Sequence, residues 1–453
     1  TDNSRPPNFI RRRYEFRGYP HPGGGPLGKF FVAPLPEGGC VRSAERSSVY
    51  NLRHWSASPF HPAFPREAGL FRAPAPTSDP FFPRAGAPSS PSPATTRLLF
   101  SMTLYNIARR VLFSMNPETA HAVTMANLDW VVHAGLHKLI THMPDEDPVT
   151  VMGVRFPNTI GLAAGMDKDG TRVSAFGGLG FGHVEIGTIT PLAQPGNPKP
   201  RLFRLIPAEG VINRMGFNNE GVVQVLENLR SADAFRLRGG VLGINIGKNA
   251  VTPIENALSD YVKCLDAVYD HADYIAVNIS SPNTKNLRTL QGEGELDHLV
   301  KGIVEKRADL KAERNGKHVP IAVKLAPDLE NDEILRCVDT LMKYGIDAVI
   351  ATNTTIARKR VQGLLHAEET GGLSGAPLRE RSTEVVRLVA EHVKGELPII
   401  ASGGVMSGAD AVEKMEAGAQ LVQLFTGFIY KGPALIAECS EAVAAWRRAQ
   451  EKR

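Results

Sequence analysis

The sequence predicts a (β/α)8 TIM barrel preceded by a small two-helix extension. Two observations favour this fold. From about residue 158 onward, short apolar runs alternate with longer helical patterns, and strict alternation of the two implies a parallel sheet. Eight such runs fall within roughly 290 residues, which is the strand number and size of a closed (β/α)8 barrel.

The predicted strands are short and apolar throughout, as expected of parallel strands that are covered on both faces. In chain order they are residues 159–163, 183–186, 241–245, 274–277, 321–325, 348–351, 398–401 and 421–425. Helical patterns occupy residues 219–230, 254–270, 293–314, 330–343, 379–394 and 407–417 between them. An open doubly wound sheet is the alternative, but no GxGxxG follows the first strand, so the usual dinucleotide-binding signal of that fold is missing.

Two amphipathic helices are predicted before the barrel, within residues 103–140. Apolar side chains share one face of each helix: Leu104, Ile107, Val111, Leu112 and Met115 in the first, and Val123, Ala126, Trp130 and Ala134 in the second. Asn116 followed by Pro117 is typical of the start of a helix. Such a helix pair either packs on the barrel or lies in a membrane interface, and the pattern alone leaves both open.

The first 101 residues differ in composition from the rest of the chain. They hold 17 of the 33 prolines with 13 basic and 6 acidic residues, whereas the remainder holds 39 basic and 41 acidic residues. The net charge of +5 therefore belongs to this segment and indicates no nucleic-acid partner. We expect residues 1–101 to be disordered, and to be an extension read through upstream of a start at Met102. A mitochondrial presequence is the alternative.

The remaining domains are expected to be the helical extension at 102–145 and the barrel at 146–453. The four cysteines form no CxxC pair, which fits unpaired thiols in a reducing compartment. No run of 18 apolar residues is present to span a bilayer. The sequence also lacks a His/Asp/Glu cluster suited to a metal and an acidic pair suited to glycoside hydrolysis.

Chemistry in such barrels takes place at the C-terminal ends of the strands. Polar or glycine-rich sequence follows most of them, and the most informative is the hexapeptide Asn278–Asn283 after the fourth strand. After the last two strands, Gly403, Gly404, Thr426 and Gly427 are suited to hold a phosphate through bare backbone N–H groups. We therefore expect a phosphorylated cofactor or substrate at one end of the pocket.

Lysines and asparagines from different strands complete the predicted rim. Lys168 and Lys324 could place positive charge near an electron-rich ring or a carboxylate. An asparagine side chain both donates and accepts hydrogen bonds, so several of them suit a planar ligand with amide groups. The candidates are Asn213, Asn278, Asn283 and Asn353.

Five motifs resemble the signatures of the dihydroorotate dehydrogenase family. They are Gly161–Gly170, Asn197–Arg204, Asn213–Asn218, Asn278–Asn283 and Gly371–Gly375. The resemblance covers residues 102 to about 447, and residues 1–101 match nothing in the family. Serine at position 281, where the soluble class usually has cysteine, resembles the membrane-associated, quinone-dependent class, as does the two-helix extension.

The resemblance implies oxidation of dihydroorotate to orotate in pyrimidine biosynthesis, with FMN as the hydride acceptor and a quinone as the final oxidant. It implies that Ser281 is the catalytic base. The implied substrate-binding residues are Lys168, Asn213, Arg214, Met215, Gly216, Phe217, Asn278, Asn283, Asn353 and Thr354. The implied FMN-binding residues are Ala164, Gly165, Met166, Asp167, Lys168, Thr188, Asn245, Asn278, Lys324, Thr352, Gly375, Gly404, Phe425 and Thr426.

In the quinone-dependent class the two helices form the mouth of an apolar tunnel, and His121 and Arg204 are candidates to line it. The resemblance implies a peripheral protein on the cytoplasmic face of a bacterial inner membrane, or on the mitochondrial inner membrane if residues 1–101 are a presequence. We expect residues 281–296 to act as a lid. A soluble-class enzyme using fumarate or NAD, and a non-catalytic flavin-binding scaffold, are the competing hypotheses. The sequence distinguishes neither the oligomeric state nor the preferred quinone.

Overall fold

The computed structural model of the chain describes residues 93–452, with side chains from Leu104 onward. The expectations for residues 1–92 lie outside these residues. Thirteen strands are described: β1 Val149–Val151, β2 Val154–Phe156, β3 Ile160–Leu162, β4 His183–Ile189, β5 Leu202–Leu205, β6 Gly210–Asn213, β7 Val241–Ile246, β8 Tyr274–Asn278, β9 Ile321–Leu325, β10 Ala348–Ala351, β11 Gly372–Gly375, β12 Ile399–Ser402 and β13 Leu421–Leu424.

Eight of these strands form a closed parallel barrel in the order β3, β4, β7, β8, β9, β10, β12 and β13. The barrel closes where β13 pairs with β3, with Gln423 beside Gly161. All eight coincide with the predicted strands, so the predicted fold is confirmed. The strand residues are buried, and the main apolar core lies between the outer barrel surface and the surrounding helices.

The helices of the barrel follow the predicted alternation. They are α3 Val173–Gly178, α4 Gly221–Asn228, α5 Asp233–Arg236, α6 Ala257–Val268, α7 Glu293–Glu313, α8 Asn331–Lys343, α9 Arg379–Val393, α10 Gly408–Glu416, α11 Thr426–Lys431 and α12 Ala434–Gln450. The six helical patterns predicted between strands all contain one of these helices. α8 begins with a capping box in which Glu330 and Glu333 satisfy each other's backbone N–H groups.

The extension consists of α1 Pro93–Ser114 and α2 Pro117–His133. α1 begins before the boundary expected at Met102. The Asn116 side chain accepts hydrogen bonds from the backbone N–H groups of Glu118 and Thr119, and Pro117 is the first residue of α2, as predicted. Among the helices described, none is long and apolar enough to cross a membrane.

α1 is joined to the barrel at the carbonyl groups that end α11. The Tyr105 hydroxyl donates to the Ile429 carbonyl (2.7 Å), and the Arg109 guanidinium donates to the Tyr430 carbonyl (2.7 Å). Phe113 packs edge-on against the Tyr430 ring. Because α11 follows β13 directly, these contacts hold the extension beside the C-terminal end of the barrel.

Two sheets outside the barrel were not predicted. The hairpin of β1 and β2 covers the N-terminal end of the barrel, where Val151 and Phe156 join an apolar cluster with inward-facing residues such as Tyr274. A three-stranded antiparallel sheet of β5, β6 and β11 lies at the C-terminal end, built from the long segments after β4 and β10. This second sheet carries Asn213 to the rim.

Candidate active site

One continuous cavity of about 750 Å³ connects the C-terminal ends of the barrel strands to the space between α1 and α2. Its inner part is lined by residues on or directly after seven of the eight barrel strands, including Met166, Thr188, Asn278, Lys324 and Thr426. Its outer part is lined by α1 and α2, largely with apolar side chains. The cavity therefore joins a polar chamber to an apolar opening.

The four predicted asparagines meet at the polar chamber and bond to one another in two pairs. Asn283 Nδ2 donates to Asn213 Oδ1 (3.0 Å), and Asn353 Nδ2 lies 3.3 Å from Asn278 Oδ1. Asn283 Oδ1 is buried and has no hydrogen-bond partner among the described residues. Because a buried amide oxygen is costly to leave unpaired, this atom favours a ligand that donates a hydrogen bond.

Ser281 lies between these pairs on the turn that follows β8. Its side chain lines the cavity, yet the residue is only 5 % exposed. The hydroxyl oxygen accepts the backbone N–H of Asn283 (3.2 Å), which fixes its position relative to the turn. No described histidine or carboxylate makes a hydrogen bond with it. Any proton transfer at this hydroxyl must therefore take place in a closed site without a conventional base beside it.

Behind the asparagines, a chain of hydrogen bonds runs into the barrel interior. Asn278 Nδ2 donates to Thr188 Oγ1 (2.9 Å), Thr188 donates to Asn245 Oδ1 (2.6 Å), and Asn245 Nδ2 donates to Glu185 Oε1 (2.9 Å). Tyr274 and Gln423 donate to the other Glu185 oxygen. Both Glu185 oxygens are thus hydrogen-bonded, which holds the inner wall in place, although Gln423 Oε1 is buried without a partner among the described residues.

Two lysines reach the cavity from opposite sides. Lys168 donates to the Gly165 carbonyl (2.9 Å), and burial lowers the pKa of its ammonium group. Burial also lowers the pKa of Lys324, while the nearby Glu185 carboxylate opposes that shift. The ammonium group of Lys324 has no hydrogen-bond partner among the described residues. It is thus a cation left available to a ligand.

The loops after β12 and β13 form the end of the cavity predicted for a phosphate. Gly403, Gly404, Thr426 and Gly427 all line it. Gly404 has φ +75°, and a Cβ there would lie 2.3 Å from the Arg379 Cα, so only glycine fits. Within the described chain, the backbone N–H groups of Gly404 and Val405 have no acceptor. Unpaired N–H groups in a glycine-rich turn are suited to bind an anion.

His121 and Arg204 both line the apolar opening. Burial lowers the pKa of His121 to about 4, and the positive charge of Lys168 adds to the effect, so its imidazole is neutral near pH 7. The Arg204 guanidinium donates to the Met115 carbonyl (2.9 Å) beyond the end of α1 and stacks 4.6 Å from the centre of the Phe113 ring. Arg204 therefore also holds the C-terminal end of α1.

Three predicted site residues lie outside the cavity lining. Arg214 faces away from it, paired with Glu369 (2.6 Å) and stacked on Phe203. The buried Asp167 carboxylate accepts two backbone N–H groups of the following turn, from Thr171 and Arg172. Asn245 is reached only through Thr188. The other predicted residues of the substrate and cofactor sets all line the cavity.

The sequence analysis missed several residues that contribute to the cavity. Gln423, Ser374, Ser402 and Val405 line it, and Glu185 anchors its inner wall. Gln423 is the single polar residue of β13, and Glu185 stands between the apolar Val184 and Ile186 in β4. That contrast was a usable signal, since a buried polar side chain requires a partner. Ser374 lies on β11, a strand that was not predicted.

The predicted lid is hydrogen-bonded to the rest of the chain at several points in this structure, including Asn283 with Asn213 and the Gln291 side chain with the Ala326 N–H. Within residues 281–296, the Arg288 guanidinium donates to the carbonyls of Ser280 and Thr354 and pairs with Asp328 (2.8 Å). Movement of residues 281–296 as a lid therefore stays a prediction. Among the described residues, no group of three or more His, Cys, Asp or Glu side chains could hold a metal ion.

Comparisons with known proteins agree with this architecture. A family model described as dihydroorotate dehydrogenase matches residues 148–445. A protein of Teredinibacter turnerae named dihydroorotate dehydrogenase (quinone) is 57 % identical over 342 residues, covering 76 % of this chain and 99 % of that protein. A protein of the same name from Dechloromonas aromatica is 54 % identical over 341 residues, covering 75 % and 98 % of the two chains.

The structural comparison gives the same result. A crystal structure of Eimeria tenella DHODH in complex with ferulenol matches with a TM-score of 0.67 and 36 % identity, covering 75 % of this chain and 96 % of that chain. The ligand-free form of the Eimeria tenella protein matches with the same TM-score and 38 % identity, covering 74 % and 96 %.

Proposed function

Since the chain belongs to the dihydroorotate dehydrogenase family, we propose that it oxidises dihydroorotate to orotate with FMN as cofactor and a quinone as the final electron acceptor. This is an oxidoreductase reaction on a CH–CH group in pyrimidine biosynthesis. The observation that carries the proposal is the continuous cavity, which joins Ser281 and the asparagine pairs to an apolar opening between α1 and α2.

The residues of the inner cavity fit FMN. The unpaired N–H groups of Gly404 and Val405 suit its phosphate, and the unpaired ammonium group of Lys324 suits an electron-rich ring system. Gly375, Phe425 and Thr426 would enclose the rest of the molecule. When bound, FMN supplies the acceptor for the hydride that leaves C6 of the substrate.

The asparagines would bind the pyrimidine ring of dihydroorotate. Asn213 and Asn283 come from the antiparallel sheet and the β8 turn, whereas Asn278 and Asn353 come from two barrel strands. An asparagine side chain can both donate to and accept from the ring amides, and Asn283 Oδ1 is without a partner among the described residues. Four amides from different elements would hold the ring in one orientation, which is what a stereospecific transfer requires.

Ser281 would remove the C5 proton of the substrate. Its hydroxyl oxygen is positioned by the Asn283 N–H, and its low exposure excludes bulk water. A serine hydroxyl is intrinsically a weak base, so the transfer depends on this closed environment and on the positive charge of Lys168 at the same chamber. The backbone and side chains of Met215, Gly216 and Phe217 would cover the ring.

The apolar opening would admit the quinone from a membrane surface. The stripe predicted on α2 does not pack on the barrel: Val123 and Trp130 are 40 % and 64 % exposed, and Ile107 and Val111 on α1 are both more than half exposed. An apolar face of this kind beside the opening favours peripheral binding to a membrane. We assign it to the cytoplasmic face of a bacterial inner membrane, with the mitochondrial inner membrane as the alternative.

Steady-state oxidation of dihydroorotate with quinone, fumarate and NAD, compared side by side, tests the proposal. We expect rapid turnover with quinone and little with the other two acceptors. A preference for fumarate or NAD would identify a soluble-class enzyme instead. A purified protein that binds FMN but leaves it oxidised in the presence of dihydroorotate would be the non-catalytic scaffold.

A further inference from the structure

We propose that Lys414 is a positioning residue for the cofactor phosphate and acts through Ser382 on the peptide group between Gly403 and Gly404. The inference rests on the proposed function, because it concerns the phosphate of FMN. Lys414 is on α10, its side chain does not line the cavity, and the residue is completely buried.

The ammonium group of Lys414 is bound entirely by neutral oxygens of α9. It donates to Ser382 Oγ (2.5 Å), Thr383 Oγ1 (2.6 Å) and the Arg379 carbonyl (3.1 Å). These three bonds use all of its protons. A buried lysine with no carboxylate bonded to it among the described residues is unusual, because burial of a charge is costly unless a counter-charge is present.

The Ser382 hydroxyl connects this lysine to the phosphate loop. Ser382 Oγ lies 2.8 Å from the Gly403 carbonyl and 3.0 Å from the Arg379 carbonyl. The Arg379 carbonyl already accepts from Lys414 and from Thr383. Since Ser382 has a single hydroxyl proton, we assign that proton to the shorter contact, with the Gly403 carbonyl.

The carbonyl of Gly403 and the N–H of Gly404 belong to the same peptide group. In a trans peptide the two point in opposite directions, so a hydrogen bond that holds the carbonyl against Ser382 directs the N–H away from α9. That N–H has no acceptor among the described residues, and Gly404 lines the cavity. A donor polarised by an ammonium group on its far side binds an anion more strongly than an isolated amide does.

The charged groups around Lys414 do not oppose the binding of an anion at the phosphate loop. On α10, Asp410 is paired with Arg379 (2.6 Å), and Glu413 lies 3.8 Å from the same guanidinium. Arg387 on α9 adds positive charge near Lys414. Burial lowers the pKa of Lys414 to about 7, with Glu413 and Asp410 opposing that shift. A phosphate dianion at the loop would favour the charged form of the lysine.

The test compares two flavins that differ only in the phosphate. The holoprotein is stripped of flavin and titrated with FMN and with riboflavin, and binding is followed by flavin fluorescence. Lys414→Met removes the charge at nearly constant length, and Ser382→Ala removes the connecting hydroxyl. Lys248→Met is the matched control, because Lys248 is also buried, outside the cavity lining and bound to carbonyls, but these are the carbonyls of Asn249 and Thr252 and not groups connected to the phosphate loop.

We expect Lys414→Met to weaken FMN binding about tenfold or more, which is the effect of losing one charge-assisted hydrogen bond, and to leave riboflavin binding unchanged. Ser382→Ala should show the same selectivity for the phosphate. Equal losses for both flavins, or no loss for FMN, would overturn the inference. If Lys414→Met does not fold, Ser382→Ala decides alone. A wild-type protein that binds FMN no better than riboflavin would contradict the proposed function instead.

Discussion

The chemistry proposed at Ser281 depends on where a single hydroxyl is held. The neighbouring N–H of Asn283 occupies one lone pair, and no described imidazole or carboxylate is bonded to the hydroxyl. Thr284, one turn further, has a buried hydroxyl without a partner. Thr284 does not line the cavity, so within this turn Ser281 carries the hydroxyl that can contact the substrate.

Replacing Ser281 with alanine should slow reduction of the bound flavin by dihydroorotate by roughly 10²–10⁴-fold, the usual contribution of a general base. FMN should stay bound, since the phosphate loop and Lys324 are unchanged. Rapid mixing of the oxidised holoprotein with dihydroorotate, followed by flavin absorbance, measures the rate directly.

Ser281→Cys is the informative companion variant, because a thiol keeps a group able to accept the proton. It should be faster than Ser281→Ala. If the alanine variant reduces its flavin at the wild-type rate, Ser281 is not the base.

Which residues face the cavity could be predicted only in part. The Asn213–Asn218 motif identifies a contiguous segment, but neighbouring residues of a strand point to opposite faces. Asn213 faces the cavity, whereas the Arg214 side chain stacks on Phe203 at the other face. The position of Arg214 could not have been predicted without knowing that residues 210–213 form a strand.

At the scale of elements, the extension places its apolar face outward. α2 contacts the core through Leu128, Met125 and Val132, while Val123 and Trp130 remain exposed. The hydrophobic periodicity predicted a helix here, and α2 confirms the helix. It could not show that the helix has two apolar surfaces, one that packs on the barrel and one that is exposed.

Replacing Ile107, Val111 and Trp130 together with serine should weaken binding to phospholipid vesicles at least tenfold, because each buried apolar side chain contributes about 1.5–3 kcal/mol. Co-sedimentation with vesicles measures the loss. Reduction of the bound flavin by dihydroorotate should persist, since these side chains are exposed and lie away from Ser281. That half-reaction does not use the apolar opening, which Val111 lines.

The matched control replaces Leu237 and Val251 with serine. Both are more than 80 % exposed but lie on the barrel, outside the extension. Vesicle binding that falls equally in the control would mean that the effect is one of overall hydrophobicity. Binding that is unchanged in the triple variant would exclude this face as the membrane contact.

The sheet of β5, β6 and β11 could not be predicted from hydrophobic periodicity. β5 alternates between half-buried and buried residues, as a strand exposed on one side should. Fully apolar runs predict buried barrel strands, and short alternating runs such as that of β5 do not share this pattern. β11 carries Gly372 and Gly375, which weaken its strand signal further. Its pairing with β6 spans about 160 residues and depends on the barrel being closed.

For the molecule as a whole, the two ends of the barrel differ: the candidate active site lies at one end, and the other end is closed by packed side chains. The cavity, the asparagines and the phosphate loop all lie at the C-terminal ends of the strands. At the opposite end, the β1–β2 hairpin packs Phe156 against His183 and Tyr274. Both ring nitrogens of the completely buried His183 lack a hydrogen-bond partner. This histidine is neutral in the native state, because burial lowers its pKa to about 3.

His183 should therefore limit the stability of the protein in acid. Its pKa is about 6.5 in the unfolded chain and about 3 in the folded one, so between these values the unfolded state binds the extra proton. Stability falls as pH decreases through this window, and the group has no effect above it. Between pH 7 and pH 5 this histidine alone should lower the free energy of unfolding by about 2 kcal/mol.

Urea unfolding of the wild type and of His183→Leu at both pH values tests this expectation. Between pH 7 and pH 5, the free energy of unfolding should fall by about 2 kcal/mol less in the variant than in the wild type. The same change at the exposed His298 is the control, and parallel losses in all three proteins would show that His183 can be protonated without unfolding.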